Sequence, residues 1–139
     1  MATGKVFDVG SELPARAVMF TLDRMRMFSA WPGKERFGRT LLNQHTDHRI
    51  ARRLGRPAAI VQGCQLSALV EDMLLNAFGE QWLKGGKLQV SYIGVVCADE
   101  EITAGGKVVL RENGNLGVDV WCRNTRGNDV VVGRATIPD

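Results

Sequence analysis

One segment constrains the fold more than any other, the run GCQLSALVEDMLLNAF at residues 63–78. Its apolar residues recur at the i, i+3, i+4, i+7 and i+8 spacing that places side chains on one face of a helix. The stripe consists of Leu66, Leu69, Val70, Met73, Leu74 and Ala77. A helix this apolar needs cover on most of its surface, so we expect it to lie at the centre of the domain.

The rest of the chain supplies elements that can cover this helix. A short apolar strand is predicted over 17–22, a short helix over 23–31, an irregular loop over 34–44 and a second short helix over 48–54, which Asp47 caps. Four strands follow, over 87–98, 107–112, 116–124 and 129–137, separated by glycine and asparagine turns at 105–106, 113–115 and 126–128. We expect an antiparallel meander and an α+β domain with its sheet wrapped around the long helix.

Length and composition favour one domain over residues 1–139, with 1–10 flexible. The 139 residues are 45% hydrophobic and 24% charged, which is enough to bury a core. No stretch approaches the roughly 18 apolar residues of a membrane-spanning helix, and the N-terminus lacks a secretory signal, so we expect a soluble, cytoplasmic protein without a membrane partner. Cys64, Cys97 and Cys122 form no CxxC pair, so we expect buried thiols and no metal site.

Positive charge is concentrated in residues 34–56, which contain seven basic and two acidic side chains, whereas the whole chain carries +3. The basic residues are Lys34, Arg36, Arg39, Arg49, Arg52, Arg53 and Arg56. The segment is either a solvated loop and helix face or a binding surface for an anion. Phe37 is its one aromatic residue, so base stacking is disfavoured and a phosphate-bearing small molecule is preferred to nucleic acid.

The stretch HTDHRIARRLGRPAAIVQG, residues 45–63, resembles the signature of the MaoC-like (R)-specific enoyl-CoA hydratase and dehydratase family, and CRNTRGNDVVVGRATI, residues 122–137, resembles that family's last hairpin. The residues in register are His45, Asp47, Ala51, Gly55, Ile60 and Gly63. The resemblance implies a single hotdog domain that hydrates or dehydrates an acyl thioester. An unpaired sheet edge in such a domain also predicts a homodimer or higher homo-oligomer.

The resemblance also implies roles for three residues. His45 is the expected proton carrier, since an imidazole can hold either protonation state near neutral pH. Gly63, at the start of the long helix, is expected to stabilise charge on the thioester oxygen through a backbone N–H. Thr40 stands where the family has its catalytic carboxylate, and its hydroxyl can hold a water but cannot accept its proton at neutral pH. Glu35 is the first candidate for a replacement carboxylate and Asp47 the second.

Further residues are expected to bind substrate, and the thioester is expected to be a coenzyme A ester or an ester of an acyl carrier protein. Asn43, Gln44 and Gln62 offer amides to a water or a substrate carbonyl, while an apolar tunnel along the helix takes the acyl chain. Coenzyme A or phosphopantetheine belongs to the substrate, and no separate cofactor is expected. The arginines expected to meet its phosphates are Arg52, Arg53 and Arg56.

Two alternatives stay open beside the hydratase. One is thioester hydrolysis, which the same fold supports. The other is a non-catalytic subunit that binds an acyl thioester and is paired with a complete homologue.

Overall fold

The computed structural model describes residues 6–29 and 42–139. Within those ranges the chain forms five strands and four helices. In chain order they are β1 (Arg16–Met19), α1 (Leu22–Ser29), α2 (His48–Arg53), α3 (Gly63–Phe78), α4 (Glu80–Gly85), β2 (Lys87–Tyr92), β3 (Glu101–Glu112), β4 (Asn115–Asn124) and β5 (Asp129–Pro138).

The strands form one antiparallel sheet in the order β1-β3-β4-β5-β2. Strands β3, β4 and β5 are the expected meander. The first of the four predicted strands, β2, was wrongly placed, because it pairs with β5 and not with β3. β1 and β2 are therefore the two edges of the sheet.

Helix α3 is the core element that its sequence predicts. Val70, Met73 and Leu74 are fully buried, and they belong to one apolar cluster with residues from β3, β4 and β5 such as Ile102 and Val118. The helix spans the predicted residues 63–78, and Gly79, with a φ of 57°, follows as its C-cap. The α+β architecture with a central apolar helix is thus confirmed.

The glycine pair at 105–106 does not form the predicted turn but lies inside β3, which begins at Glu101. A Cβ on Gly105 would lie 2.5 Å from the Trp121 indole on β4, and a Cβ on Gly106 would lie 3.1 Å from Leu13. These glycines therefore make room for neighbouring side chains within a strand, where glycine often marks a close approach.

Two more boundaries differ from the sequence prediction. Helix α4 was not predicted, and its half-buried Trp82 packs against the core cluster. Strand β2 ends at Tyr92, short of the predicted residue 98, because the chain then turns to meet the segment before α3, where the Val61 N–H donates to the Val96 carbonyl at 2.8 Å.

No helix in the described ranges is both long and apolar enough to cross a membrane.

The three cysteines differ in exposure. Cys122 is buried and Cys97 is half-buried, but Cys64 is exposed on the first turn of α3. The expectation of a buried thiol was therefore wrong for Cys64.

Candidate functional site

His45 lies in a tight turn that Asn43 organises. The Oδ1 of Asn43 accepts the His45 N–H at 2.8 Å, and its carbonyl accepts the N–H groups of Thr46 at 3.1 Å and Asp47 at 3.0 Å. This is an Asx turn, in which a short polar side chain replaces a backbone acceptor. The side-chain oxygen of Asn43, predicted to bind substrate, is therefore used to shape the loop that carries His45.

The imidazole of His45 is anchored by one hydrogen bond. Its Nδ1 lies 2.8 Å from the Ile60 carbonyl oxygen. Since a carbonyl oxygen only accepts, Nδ1 carries the hydrogen, and in the neutral ring the lone pair is on Nε2. The ring is half-buried. The fold thus fixes the tautomer and leaves Nε2 as the proton acceptor.

The anchor connects His45 with the start of α3. The Ile60 N–H donates to the Gln44 carbonyl at 2.9 Å, and on either side of it Ala59 and Val61 pair with the segment at 96–98. Ile60 precedes Gly63 by three residues, a span of at most about 10 Å of extended chain. The backbone therefore holds the His45 ring beside the segment that leads directly into α3.

His48 supports the same segment. It is half-buried, and its Nδ1 accepts the Ala59 N–H at 3.0 Å. His48 lies in the first turn of α2, whose N-cap Asp47 accepts the Ile50 N–H at 2.9 Å. The two histidines thus contact neighbouring residues of one extended segment.

Gly63 is the first residue of α3, and Tyr92 covers it. The N-cap Gln62 makes no side-chain capping bond, and the first N–H groups of a helix lack intrahelical acceptors and lie at its positive end. A Cβ on Gly63 would lie 3.1 Å from the Tyr92 ring, whose hydroxyl forms a hydrogen bond with the Ser67 hydroxyl one turn on. The structure thus explains the glycine by the space that the phenol ring occupies.

Tyr92 is a site residue that the sequence analysis missed. It ends β2, and nothing in its local pattern indicates that β2 runs beside the first turn of α3. The residue is 52% exposed. Tyr92 is thus the neighbour of Gly63 on the side where a Cβ would stand.

Gln62 is a structural link between α1 and α3. Its amide nitrogen donates to the Met25 carbonyl at 2.9 Å and to the Ser29 hydroxyl at 2.7 Å, and its Oε1 accepts from Gln65 at 2.6 Å. The residue is 7% exposed. These bonds use both amide hydrogens, so the structure gives Gln62 an internal structural role, and its contact with substrate stays a prediction.

Asp47 is a poor replacement base. The hydrogen bond from the Ile50 backbone N–H holds the pKa of its carboxyl below the ordinary value of 3.8. The other candidate, Glu35, lies outside the described residues, as does Thr40. Their roles stay predictions.

The arginines expected to bind phosphate lie on and just after α2, and all are exposed. Arg52 donates from Nε to the Pro57 carbonyl at 3.3 Å. Unlike the cations of the six ion pairs seen elsewhere, Arg52, Arg53 and Arg56 pair with no carboxylate among the described residues. The side chain of Gln44 likewise bonds to no described group. These four side chains are available to an outside ligand.

A pocket of about 470 Å³ lies along α3, between that helix, α1 and β1. Its walls include neither His45 nor Gly63. The expected tunnel for an acyl chain is therefore not this pocket as it stands. The described ranges contain no group of three or more His, Cys, Asp or Glu side chains that could hold a metal ion.

Structural comparison places this arrangement in a known fold. The (R)-hydratase from A. caviae involved in PHA biosynthesis matches with a TM-score of 0.74 and 22% identity over 95% of this chain and 96% of that chain. The chain has the hotdog fold. A MaoC-like dehydratase matches with a TM-score of 0.80 and 17% identity over 95% of this chain and 40% of that chain.

A third hotdog structure similar to this chain belongs to the ChsH1–ChsH2 complex from Mycobacterium tuberculosis. It matches with a TM-score of 0.73 and 19% identity over 96% of this chain and 98% of that chain. No family model matches the sequence, and no curated protein does.

Proposed function

We propose that the protein is a MaoC-like hydratase or dehydratase of acyl thioesters, with His45 as its proton carrier. The observation that carries this proposal is the 2.8 Å bond from His45 Nδ1 to the Ile60 carbonyl, three residues before α3. It frees Nε2 for proton transfer near the start of a helix. The fold shared with (R)-hydratases and MaoC-like dehydratases supports the same conclusion.

The proton that His45 carries is the one at the α carbon of the acyl group. In dehydration, Nε2 takes this proton, and the resulting imidazolium gives it to the β-hydroxyl, which leaves as water. In hydration, Nε2 takes a proton from water as the water oxygen adds at the β carbon, and the imidazolium then gives that proton to the α carbon. Nδ1 keeps its hydrogen bond to the Ile60 carbonyl in both states, so the ring need not turn during the reaction.

Loss of the α proton places negative charge on the thioester oxygen, and the Gly63 N–H is proposed to stabilise it. A free amide at the positive end of a sixteen-residue helix favours such a charge. Tyr92 lies against Gly63 on the side where a Cβ would stand, and its ring is proposed to form one wall of the approach to this amide.

Three more polar residues complete the proposed site. Thr40 holds the reacting water through its hydroxyl, Gln44 orients the water or the thioester with its unpaired amide, and Asn43 shapes the turn that presents His45. The different roles of Asn43 and Gln44 follow the hydrogen bonds of the loop, which use the Asn43 side-chain oxygen but not the Gln44 side chain. The role of Thr40 follows from its position in the sequence.

Arg52, Arg53 and Arg56 are proposed to bind the phosphates of coenzyme A or of a carrier protein's phosphopantetheine arm. Guanidinium groups bind phosphate oxygens through paired N–H donors. These side chains are exposed and without carboxylate partners among the described residues, so an anion need not displace a carboxylate to reach them.

The working form is proposed to be a homodimer joined through β2. This strand is an edge of the sheet, and exposed apolar side chains, Tyr92, Ile93 and Val95, lie at its end. A second copy would cover them and pair the free backbone groups of the edge. The Mycobacterium tuberculosis neighbour belongs to a two-protein complex, in keeping with a paired state. Light scattering after gel filtration should give twice the chain mass, and Ile93→Lys should lower it.

The activity is tested by incubating the purified protein with crotonyl-CoA and longer enoyl-CoAs. Loss of the conjugated chromophore reports hydration, and release of free thiol reports hydrolysis. His45→Ala should lower the hydration rate at least about a hundredfold, since a positioned acid–base group contributes on that scale. His48→Gln is the matched control and should keep most of the rate. Unchanged rates in His45→Ala would refute the assignment.

Thr40→Asp tests the missing carboxylate. A large gain in rate would mean that the native site lacks a base, whereas a loss would mean that another group already fills that role. Tight binding of an acyl thioester with no turnover by the wild-type protein would identify a binding subunit instead.

A further inference from the structure

The pocket between β1, α1 and α3 has no part in the proposed reaction. Its walls contain apolar side chains from three parts of the fold, including Val18 on β1 and Phe20 just after it, Phe28 on α1, and Ala68 and Leu69 on α3. Its volume of about 470 Å³ falls in the range of small-molecule sites. A ligand the size of octanoate or decanoate fits this space.

The charges of the pocket favour an anion. Arg16 lies 2.8 Å from the Asp72 carboxylate, so these two wall residues neutralise each other. Arg24 is the remaining charged wall residue; its guanidinium is held 5.5 Å above the Phe20 ring, and it pairs with no carboxylate among the described residues. The pocket thus carries one uncompensated positive charge beside apolar walls.

Two further features suit the pocket to a ligand with an apolar chain and a polar head group. Phe28, on the pocket wall, is 53% exposed, and covering its apolar surface is favourable. β1 is an edge of the sheet, so backbone groups on its outer side have no described strand partner and can bond to a polar head group.

His45 is not among the residues that line the pocket. Gln65 lines it, and the amide of Gln65 donates to Gln62, whose own amide donates to the Met25 carbonyl and to Ser29. This partly buried network joins the start of α3 to α1 beside the pocket.

We propose that this pocket binds a free medium-chain fatty acid, with its carboxylate on Arg24 and its chain against Phe28, Ala68 and Leu69. The inference goes beyond the proposed thioester chemistry. It does not depend on turnover, because its ligand lacks a thioester.

Calorimetric titration with octanoate, below the concentration at which it forms micelles, tests the proposal. The wild-type protein should bind octanoate more tightly than octanol, which has the same chain without the charge. Arg24→Gln should weaken octanoate binding about three- to tenfold and leave octanol binding unchanged, since an exposed charge-assisted bond contributes on that scale. Arg49→Gln, the same change on exposed α2, is the matched control and should alter neither.

Ala68→Phe fills the pocket from an exposed helix position and should abolish binding of both ligands while the circular dichroism spectrum stays native. His45→Ala should retain wild-type affinity for octanoate. The proposal is overturned if octanoate fails to bind, if it binds equally well to Arg24→Gln and Ala68→Phe, or if its binding is lost with His45→Ala. Failure of hydratase activity leaves this titration unaffected, so the two proposals fail independently.

Discussion

Replacing Gln62 by Ala should destabilise the protein by about 3 kcal/mol. The change removes three hydrogen bonds of 2.6–2.9 Å, each with a net contribution of about 1 kcal/mol. Alanine buries less apolar surface than the glutamine methylenes that it replaces, so no added burial offsets this loss. For a chain of this length the loss corresponds to a fall in Tm of about 10 °C.

Thermal and urea denaturation measure this effect, and Gln65→Ala is the matched control. Gln65 is half-buried and contributes one bond of the network, so its replacement should cost about 1 kcal/mol or less. A Gln62→Ala variant within about 0.5 kcal/mol of wild type, with a raised KM for the thioester, would refute the structural role and favour the sequence-based assignment of Gln62 to substrate binding.

Three further outcomes are expected. Asp47→Ala should lower Tm at neutral pH, whereas Asp47→Asn should retain most of the cap; because the folded pKa of Asp47 is depressed, the advantage of wild type over Asp47→Asn should be present above the ordinary value of 3.8 and vanish as pH falls through the folded pKa. Gly63→Ala should destabilise the native protein but not a Tyr92→Ala background, since the added Cβ would lie 3.1 Å from that ring; equal effects in both backgrounds would contradict the contact. A thiol reagent at neutral pH should modify Cys64 first and Cys122 only after unfolding, because burial raises the pKa of Cys122 to about 12; rapid labelling of Cys122 in the native protein would contradict its burial.

The elements that the sequence predicts best are those whose signals are local. Helix α3 has a long apolar period, and α2 has an N-cap at Asp47 and a stop at Gly55, which adopts a φ of 84°. The turn that carries His45 is also local, but it was not predicted, because the sequence analysis assigned Asn43 to substrate. The ring's anchor, the Ile60 carbonyl, is fifteen residues away and has no local signal.

The features that the sequence does not predict depend on contacts between distant segments. The pairing of β2 with β5 joins segments that are far apart in the chain. The place of Gly105 within β3 depends on the Trp121 side chain of another strand. Tyr92 contacts Gly63, and Gln62 contacts Met25, across gaps that no sequence period spans. The family resemblance predicts roles for Gln62 and Gly63 from their positions in a sequence signature. It does not predict which residues pack against them.

Protonation of the His45 ring is the most direct test of the whole account. Long-range ¹H–¹⁵N correlation spectra of the ¹⁵N-labelled protein, recorded where the ring is neutral, distinguish the two imidazole nitrogens, and His45→Ala assigns the signals. We predict hydrogen on Nδ1 and a lone pair on Nε2, with the Nε2 signal perturbed when an acyl thioester binds. Hydrogen on Nε2 of the neutral ring, or an Nε2 signal indifferent to bound thioester, would contradict it.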